Sequence, residues 1–237
     1  MAISARAARR VTTSIVPRTI ERVGAVWDLP TRLFHWALAG LIGFSWWTAE
    51  NDELDLHIWS GLAVLTLLIF RLLWGLFGSS TARFANFLRG PRAVLDYIRN
   101  VRGWTAIGHN PLGALSVVVM LLVLVAQAGL GLINSDEDGL NEGPLAHLVN
   151  AETNELAQEW HDQLFDVLLV LIGLHVAAIL FYRFALGRKL TKPMITGTAR
   201  LAPEAEPMRP GKWWMAVLCL VVALAITRWI IAGAPLP

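Results

Sequence analysis

Apolar residues lie along the chain in five long stretches, which are separated by polar segments rich in charge. A helix needs about 20 residues to cross the hydrocarbon core of a bilayer, and each stretch is close to that length. Backbone groups in lipid must hydrogen-bond within their own segment, so the pattern predicts membrane-spanning helices. In the polar stretch DLPTR, Pro30 suits a first helical turn and predicts an early start for the first span. The predicted spans are Leu33–Thr48, Ile58–Phe77, Leu112–Ile133, Leu164–Leu186 and Trp213–Ala232.

The polar segments alternate in charge. Six arginines and two acids precede the first span, and the next segment, ENDELDL, has four acids and no base. Five arginines and one acid follow the second span. After the third span, the stretch from Asn134 to Trp160 has seven acids and no Lys or Arg. Basic residues predominate again after the fourth span. This alternation fits the positive-inside rule, so we expect a cytoplasmic N-terminus and a periplasmic C-terminus.

Composition supports the membrane class. Apolar residues make up 55% of the 237 residues and charged residues only 16%, whereas a soluble domain carries about a quarter charged residues. The single cysteine, Cys219, allows no intrachain disulfide and no CxxC metal site. Without a CxxCH motif, covalent attachment of a c-type haem is excluded. The arginine-rich N-terminus has no apolar core before Trp27, so we do not expect a cleaved secretory signal.

Two histidines occur in the fourth apolar stretch, EWHDQLFDVLLVLIGLHVAAILF. His161 and His175 are fourteen positions apart, which is within about 40° of four full helical turns, so both side chains point the same way. They are separated by about 21 Å along the axis, so one metal ion cannot bind both. A polar side chain in hydrocarbon needs a partner or a function. The spacing therefore predicts two stacked sites, one in each leaflet.

The other histidines of the spans supply partners at matching depth. His57 begins the second span on the outer side, as His161 begins the fourth, whereas His35 and His175 lie in the inner half. Depth therefore pairs His57 with His161, and His35 with His175. Two pairs of imidazoles are what two six-coordinate haems need, with one imidazole on either face of each iron. The alternatives are histidines that hydrogen-bond between helices, and zinc, although structural zinc usually takes four ligands in one place.

Several stretches together resemble the bacterial cytochrome b561 and nickel–iron hydrogenase b-type cytochrome family. They are VWDLPTRLFHW in the first span, HIWSGLAVLTLLIFRLLWG in the second, GHNPLG before the third and WHDQLFDVLLVLIGLHVAAILF in the fourth. The resemblance covers about residues 24–190. It implies a four-helix bundle that carries electrons between a quinone pool, of ubiquinone or menaquinone, and a redox partner. It also implies two non-covalent b-type haems, with the axial positions at His35, His57, His161 and His175.

We therefore expect an all-α integral membrane protein of the bacterial inner membrane. The expected organisation is a basic cytoplasmic segment at 1–26 and a four-helix dihaem domain at 27–190. A polar cytoplasmic linker at 191–211 then leads to a separate fifth transmembrane helix at 212–237. This fifth span departs from the four-helix pattern of the family.

Arg71 and Gly61 are candidate cofactor contacts in the second span. Arg71 lies fourteen residues after His57, so it shares that face and reaches the inner half of the bundle. A cation there needs a counter-charge, and a haem propionate is the natural one because a guanidinium pairs bidentately with a carboxylate. The alternative is that Arg71 snorkels to the interface near Phe77. Gly61, one turn after His57, either packs closely against another helix or gives clearance to the macrocycle.

His109 is a third candidate cofactor contact, at the inner start of the third span. It precedes Asn110 and Pro111, both of which suit a helix start. His109 therefore either contacts a quinone or propionate near the cytoplasmic interface, or merely flanks the helix cap.

Three functions are compatible with this pattern. The first is electron transfer between quinone and a periplasmic redox protein such as a c-type cytochrome, dehydrogenase or hydrogenase. The acidic outer loops would steer a basic partner, or they are simply solvated. The second is a self-contained oxidoreductase that oxidises superoxide and reduces ubiquinone, as is known within the resembling family. The third is a haem-free transporter or assembly protein. Membrane lipid is the other expected partner; we predict no catalytic residue and no nucleic-acid partner.

Overall fold

The computed structural model describes residues 22–103, 106–135 and 142–235. In these ranges the chain is mostly helical, with one short two-stranded sheet. The helices are α1 (Leu29–Glu50), α2 (Leu54–Phe77), α3 (Phe84–Phe87), α4 (Pro91–Arg99), α5 (Pro111–Ile133), α6 (Ala151–Phe184), α7 (Thr191–Thr196) and α8 (Trp213–Ile231). The strands are β1 (Arg22–Ala25) and β2 (Thr198–Leu201), and single turns of 3₁₀ helix cover Val101–Gly103 and Ala146–Leu148.

Among the described helices, four are long and apolar enough to cross a membrane: α2, α5, α6 and α8. This confirms that the chain is a membrane protein built on a helical bundle. The first predicted span forms α1, which has 22 residues but is not among the four. Polar residues at both of its ends, such as Arg32 and Glu50, reduce its mean hydropathy.

Side-chain caps set where three of the long helices begin. The side chain of Asp28 accepts a hydrogen bond at the start of α1, where Pro30 lies in the first turn as predicted, and the side chain of Asn110 accepts one at the start of α5. Asn150 caps α6 in the same way. As a result α6 begins at Ala151 and not near Leu164, where the apolar stretch starts. The added segment, AETNELAQEW, is polar but contains several good helix formers, so it extends the helix out of the apolar region.

The bundle is organised around α2, which packs against α1, α5 and α8, while α5 packs against α6. Small buried residues on α8, Cys219 and Ala223, face α2, and they allow the two helices to approach closely. Buried hydroxyl groups of Thr66 and Thr227 join the two helices at 2.9 Å. The last helix, which the sequence predicts as a fifth span after the linker, therefore packs against α2.

An ordered layer covers one end of the bundle. Strands β1 and β2 pair antiparallel, from Arg22 with Leu201 to Ala25 with Thr198. The carbonyl oxygen of Gly197 also accepts hydrogen bonds from the segment that leads into α1. The predicted linker at 191–211 thus contains α7 and β2 and is tied to the N-terminal segment. The sequence does not reveal this, because four-residue strands are too short to show an alternating pattern.

The two ends of the bundle differ in charge. The basic end is defined by the starts of α1, α5 and α8 and the ends of α2 and α6, with the loops beside them. The acidic end is defined by the end of α1, the start of α2, the end of α5, the start of α6 and the end of α8. Lys and Arg predominate in the loops of the first, and Asp and Glu in those of the second.

Candidate metal centres at two histidine pairs

The four candidate histidines form two close pairs inside the bundle. At the basic end, His35 of α1 lies beside His175 of α6, with their ring centroids 6.4 Å apart. At the acidic end, His57 of α2 lies beside His161 of α6, with centroids 6.0 Å apart. This is the pairing that depth along the helices predicts. Each pair joins α6 to a different helix.

The separation within each pair leaves room for one metal ion. An imidazole nitrogen binds a transition metal at about 2.0 Å, and the ring centroid lies about 1.1 Å farther, so two trans imidazoles have centroids about 6.2 Å apart. The observed 6.0 Å and 6.4 Å lie on either side of that value. Within the described ranges, no group of three or more His, Cys, Asp or Glu could hold one ion. A four-ligand zinc site is therefore not formed by these described residues.

Main-chain carbonyl groups orient the acidic-end pair. Nδ1 of His57 lies 2.9 Å from the carbonyl oxygen of Ser45, and Nδ1 of His161 lies 3.1 Å from that of Gln127. A carbonyl oxygen only accepts, so each Nδ1 carries the proton and donates it. The lone pair then remains on Nε2, which is the nitrogen available to a metal. Metal-binding histidines generally donate their second nitrogen to an acceptor of this kind.

Two glycines shape the space around the acidic-end pair. A Cβ atom at Gly131 of α5 would lie 3.1 Å from Cε1 of His161, so the missing side chain allows that imidazole to approach α5. A Cβ atom at Gly61 would meet nothing within 4 Å, so the space beside it is open. The open space one turn from His57 fits the clearance that the sequence suggested for a flat macrocycle.

The basic-end pair has a different environment. Nδ1 of His35 is buried and has no hydrogen-bond partner among the described residues. The edge of the neighbouring Trp36 ring contacts the His35 imidazole, with centroids 4.9 Å apart. The imidazole of His35 is therefore not oriented by a carbonyl group in the way that His57 and His161 are.

Arg71 lies inside the bundle near the basic end. It is only 2% exposed, and its Nη1 has no hydrogen-bond partner among the described residues. Its guanidinium lies over the ring of Phe84, 4.7 Å from the centroid. A Cβ atom at Gly75 would overlap that ring, so Gly75 allows Phe84 to reach this position. Arg71 therefore does not snorkel to the interface. Its Nη1 could donate a hydrogen bond to an anion.

His109 lies near the same pair. Its ring packs between Trp27 and Phe87, with centroids 4.7 Å and 4.5 Å away, and its Nδ1 is buried without a partner among the described residues. Burial, the charge of Arg71, and then His175 and His35 lower the pKa of His109 to about 3. The imidazole is therefore neutral at ordinary pH, and it can donate one hydrogen bond to an acceptor.

A cavity of about 590 Å³ opens at the basic end next to His109. Its wall includes Ser80, Asn86 and Phe87, together with Arg83 and Arg209. His109 thus lines this cavity and also interacts electrostatically with His35 and His175 of the basic-end pair.

The model of the family described as prokaryotic cytochrome b561 matches residues 26–197, which is most of the chain and includes both histidine pairs. The chain belongs to the prokaryotic cytochrome b561 family. As a member, it is a membrane b-type cytochrome whose role is electron transfer, and the family implies a b-type haem. No curated protein and no solved structure was found to match the chain.

The described residues fit such a haem. The imidazoles of each pair have the separation at which they would hold one iron between them, the open space at Gly61 leaves room, and Arg71 and His109 have unused polar atoms near the basic-end pair. The sequence alone predicts these residues as candidates. It does not predict the carbonyl groups of Ser45 and Gln127, because every residue has a carbonyl group and only the packing selects which one is used.

Proposed function

We propose that the chain holds two b-type haems and transfers electrons across the bacterial inner membrane. One haem would lie between His35 and His175, and the other between His57 and His161. The observation that supports this best is the pair of imidazole separations, 6.4 Å and 6.0 Å, at two levels of α6 that are about 21 Å apart. The transfer would join a quinone pool to a redox partner in the periplasm.

Each haem supplies an iron that gains or loses one electron, and the protein positions the irons and sets their potentials. His161 and His175 belong to one unbroken helix, so α6 fixes the distance between the two sites. The carbonyl groups of Ser45 and Gln127 hold the acidic-end imidazoles in one tautomer. Placing one site near each face shortens the distance that an electron must cross at each step.

We propose that Arg71 and His109 hold the propionates of the basic-end haem. Both lie near the basic-end pair, and both have a buried nitrogen without a hydrogen-bond partner among the described residues. A guanidinium pairs with a carboxylate bidentately, and a neutral imidazole adds one N–H donor. A buried cation without a counter-charge is costly, so the carboxylate would also stabilise Arg71.

The proposed orientation places the basic end in the cytoplasm. The alternating charge of the polar segments supports it through the positive-inside rule. With α1 and α8 counted as spans beside the three between them, the described residues cross the membrane five times. The N-terminus is then cytoplasmic and the C-terminus periplasmic.

We place the quinone in the cavity beside His109. Lipid-soluble quinones reach the membrane interface, and this cavity of about 590 Å³ is large enough for a ring headgroup. The aromatic ring of Phe87 and the imidazole of His109 both line it. A ring bound there would lie next to the basic-end site, with which it would exchange electrons.

The acidic end is the proposed docking face for the periplasmic partner. A field of one sign raises the association rate of an oppositely charged partner, and salt screens it. A basic c-type cytochrome fits this face. Its rate of electron exchange with the chain should fall steeply as ionic strength rises, and a rate independent of salt would exclude this steering.

Transfer across a membrane can be measured in sealed liposomes that contain ferricyanide and the purified chain. Dithionite outside cannot enter, so reduction of the internal ferricyanide reports electrons that cross the protein. We expect His161→Ala and His175→Ala each to abolish it. His147→Ala is the matched control, because His147 is an exposed histidine outside both pairs. Transfer at the wild-type rate in both pair variants would contradict the proposal.

A further inference from the structure

The two proposed haem sites have opposite electrostatic surroundings. We infer that the buried charge of Arg71 makes the basic-end haem the stronger electron acceptor of the two, so that electrons run from the acidic end to the basic end. The inference rests on the proposed function, because it needs both haems to be present.

The position of Arg71 places its charge at the level of the basic-end pair. Arg71 follows His57 by fourteen residues on α2, just as His175 follows His161 by fourteen residues on α6. Both residues therefore lie about 21 Å toward the basic end from the acidic-end pair, and each shares the face of its helix with the preceding histidine. Arg71 is 2% exposed, so water screens its charge little.

One acid, Asp28, acts on this charge without a direct ion pair among the described residues. Asp28 interacts electrostatically with Arg71. However, one of its carboxylate oxygens accepts the N–H of Thr31 at 2.6 Å, and the other accepts Nε1–H of Trp74 at 3.1 Å. The carboxylate is therefore engaged by two other donors, and Nη1 of Arg71 has no partner among the described residues. Asp28 offsets the charge of Arg71 only in part. The propionate that Arg71 is proposed to hold belongs to the haem with or without the arginine, so loss of the guanidinium still removes one positive charge from this site.

A second cation lies near the basic-end pair. Arg32 is one turn before His35 on α1, and its guanidinium donates to the carbonyl oxygen of Ile195 on α7. Its Nε is buried without a partner among the described residues. A carbonyl oxygen does not neutralise the guanidinium, so Arg32 adds to the positive field at this end.

The acidic end has the opposite field. Asp162 directly follows His161, and Asp55 lies two residues before His57. Among the described residues at this end, Arg228 is the one Lys or Arg. Reduction of a haem adds one negative charge. Acids beside a site therefore disfavour reduction there, and a buried cation favours it.

The imidazoles themselves add a second effect of the same sign. His57 and His161 donate to the carbonyl groups of Ser45 and Gln127, which raises their basicity as ligands. More basic ligands stabilise the oxidised iron. His35 has no such acceptor among the described residues, so its iron is easier to reduce. With haems held at both pairs, these residues would favour transfer of one electron from an acidic-end iron, which would be oxidised, to a basic-end iron, which would be reduced.

The test is a spectroelectrochemical titration of the purified chain, which follows haem absorbance against applied potential. His161→Ala should keep only the basic-end haem and His175→Ala only the acidic-end haem, which assigns the two one-electron waves. We expect the basic-end wave at the higher potential. An acidic-end wave at an equal or higher potential would overturn the inference.

Arg71→Gln tests whether this residue is the cause. We expect it to lower the reduced-to-oxidised ratio of the basic-end haem about tenfold at fixed potential, a shift of about 59 mV, and to leave the other wave in place. Arg71→Lys keeps the charge and should restore most of the shift. Arg183→Gln removes an exposed arginine of α6, and it should move neither wave. Equal shifts of both waves, or none, would exclude Arg71 as the cause.

Asp28→Asn is the second variant, for the case in which Arg71→Gln does not retain the haem. Asparagine still caps α1, but it removes the acid that partly offsets Arg71, so the basic-end wave should rise. A wave that does not rise would contradict the inference. The haem count separates the two ideas: fewer than two haems in the wild type refutes the proposed function, whereas two haems in the reverse order refutes only this inference.

Discussion

Asp28 and Trp74 join the start of α1 to the end of α2. Nε1 of the indole donates to Oδ2 of the carboxylate at 3.1 Å, while Oδ1 accepts the N–H of Thr31 and caps α1. Trp74 is 1% exposed and Asp28 is 8% exposed. One buried carboxylate thus sets both where α1 begins and how it meets α2, next to the residues that support the basic-end site.

Trp74→Phe should destabilise the protein, because it removes the indole donor and leaves the buried carboxylate short of one hydrogen bond. A hydrogen bond to a charged group contributes about 1.5–3 kcal/mol, so thermal unfolding in detergent should begin several degrees lower. Trp213→Phe is the control, because Trp213 is 77% exposed. Equal unfolding temperatures for the two variants would show that the Asp28–Trp74 bond does not stabilise the fold.

Gly131→Ala should weaken the acidic-end site. The added methyl group would lie 3.1 Å from Cε1 of His161, so the imidazole must shift and its bond to the metal becomes strained. Residues that orient metal ligands typically change affinity by about 10–100-fold. The haem content after gel filtration should therefore fall from two toward one.

Gly129→Ala is the matched control for this change. Gly129 is two residues away on α5, which turns it by about 200° to the opposite face, and an added Cβ atom there meets nothing within 4 Å. The same loss of haem in both variants would mean that contact with His161 is not the cause.

Gly61→Leu tests whether a macrocycle fills the space near His57. A side chain at Gly61 meets little protein, since its Cβ atom has no neighbour within 4 Å. The helix should therefore remain stable, while the acidic-end haem is displaced. Gly173→Leu is equally open but lies on the face of α6 opposite His175, so it should retain both haems. Two haems in Gly61→Leu would place the macrocycle elsewhere.

Ala223→Leu should loosen α8 from α2. Ala223 is completely buried in the hydrophobic core, and overpacking a well-packed position costs about 1–3 kcal/mol. Val221→Leu, at a position that is 56% exposed, should have almost no effect. Thermal unfolding in detergent measures both, and equal stability of the two variants would argue against a tight α2–α8 contact.

Helical periodicity explains why the histidine pairs could be predicted from sequence. A spacing of fourteen residues fixes both the direction and the axial distance of His161 and His175, whatever surrounds them. The cap at Asn110 could also be predicted, because asparagine before proline suits a helix start in any context. These features depend on the local chain alone.

Other features depend on how distant segments pack, and the sequence does not encode them locally. The carbonyl groups of Ser45 and Gln127 became acceptors only through the register of α1 against α2 and of α5 against α6. The pairing of β1 with β2 joins the segment before α1 to the segment after α7, so it depends on how the whole bundle folds. The position of Phe84 over Arg71 likewise depends on the packing at Gly75.

The central claim is that each histidine pair holds its own haem. A pyridine haemochrome assay of the purified chain counts haem per polypeptide most directly, with the wild type beside His161→Ala and His175→Ala. We predict two haems in the wild type and one in each variant, with different α-band maxima because a different haem is lost. A wild type with one haem or none, or variants that both retain two, would contradict the account.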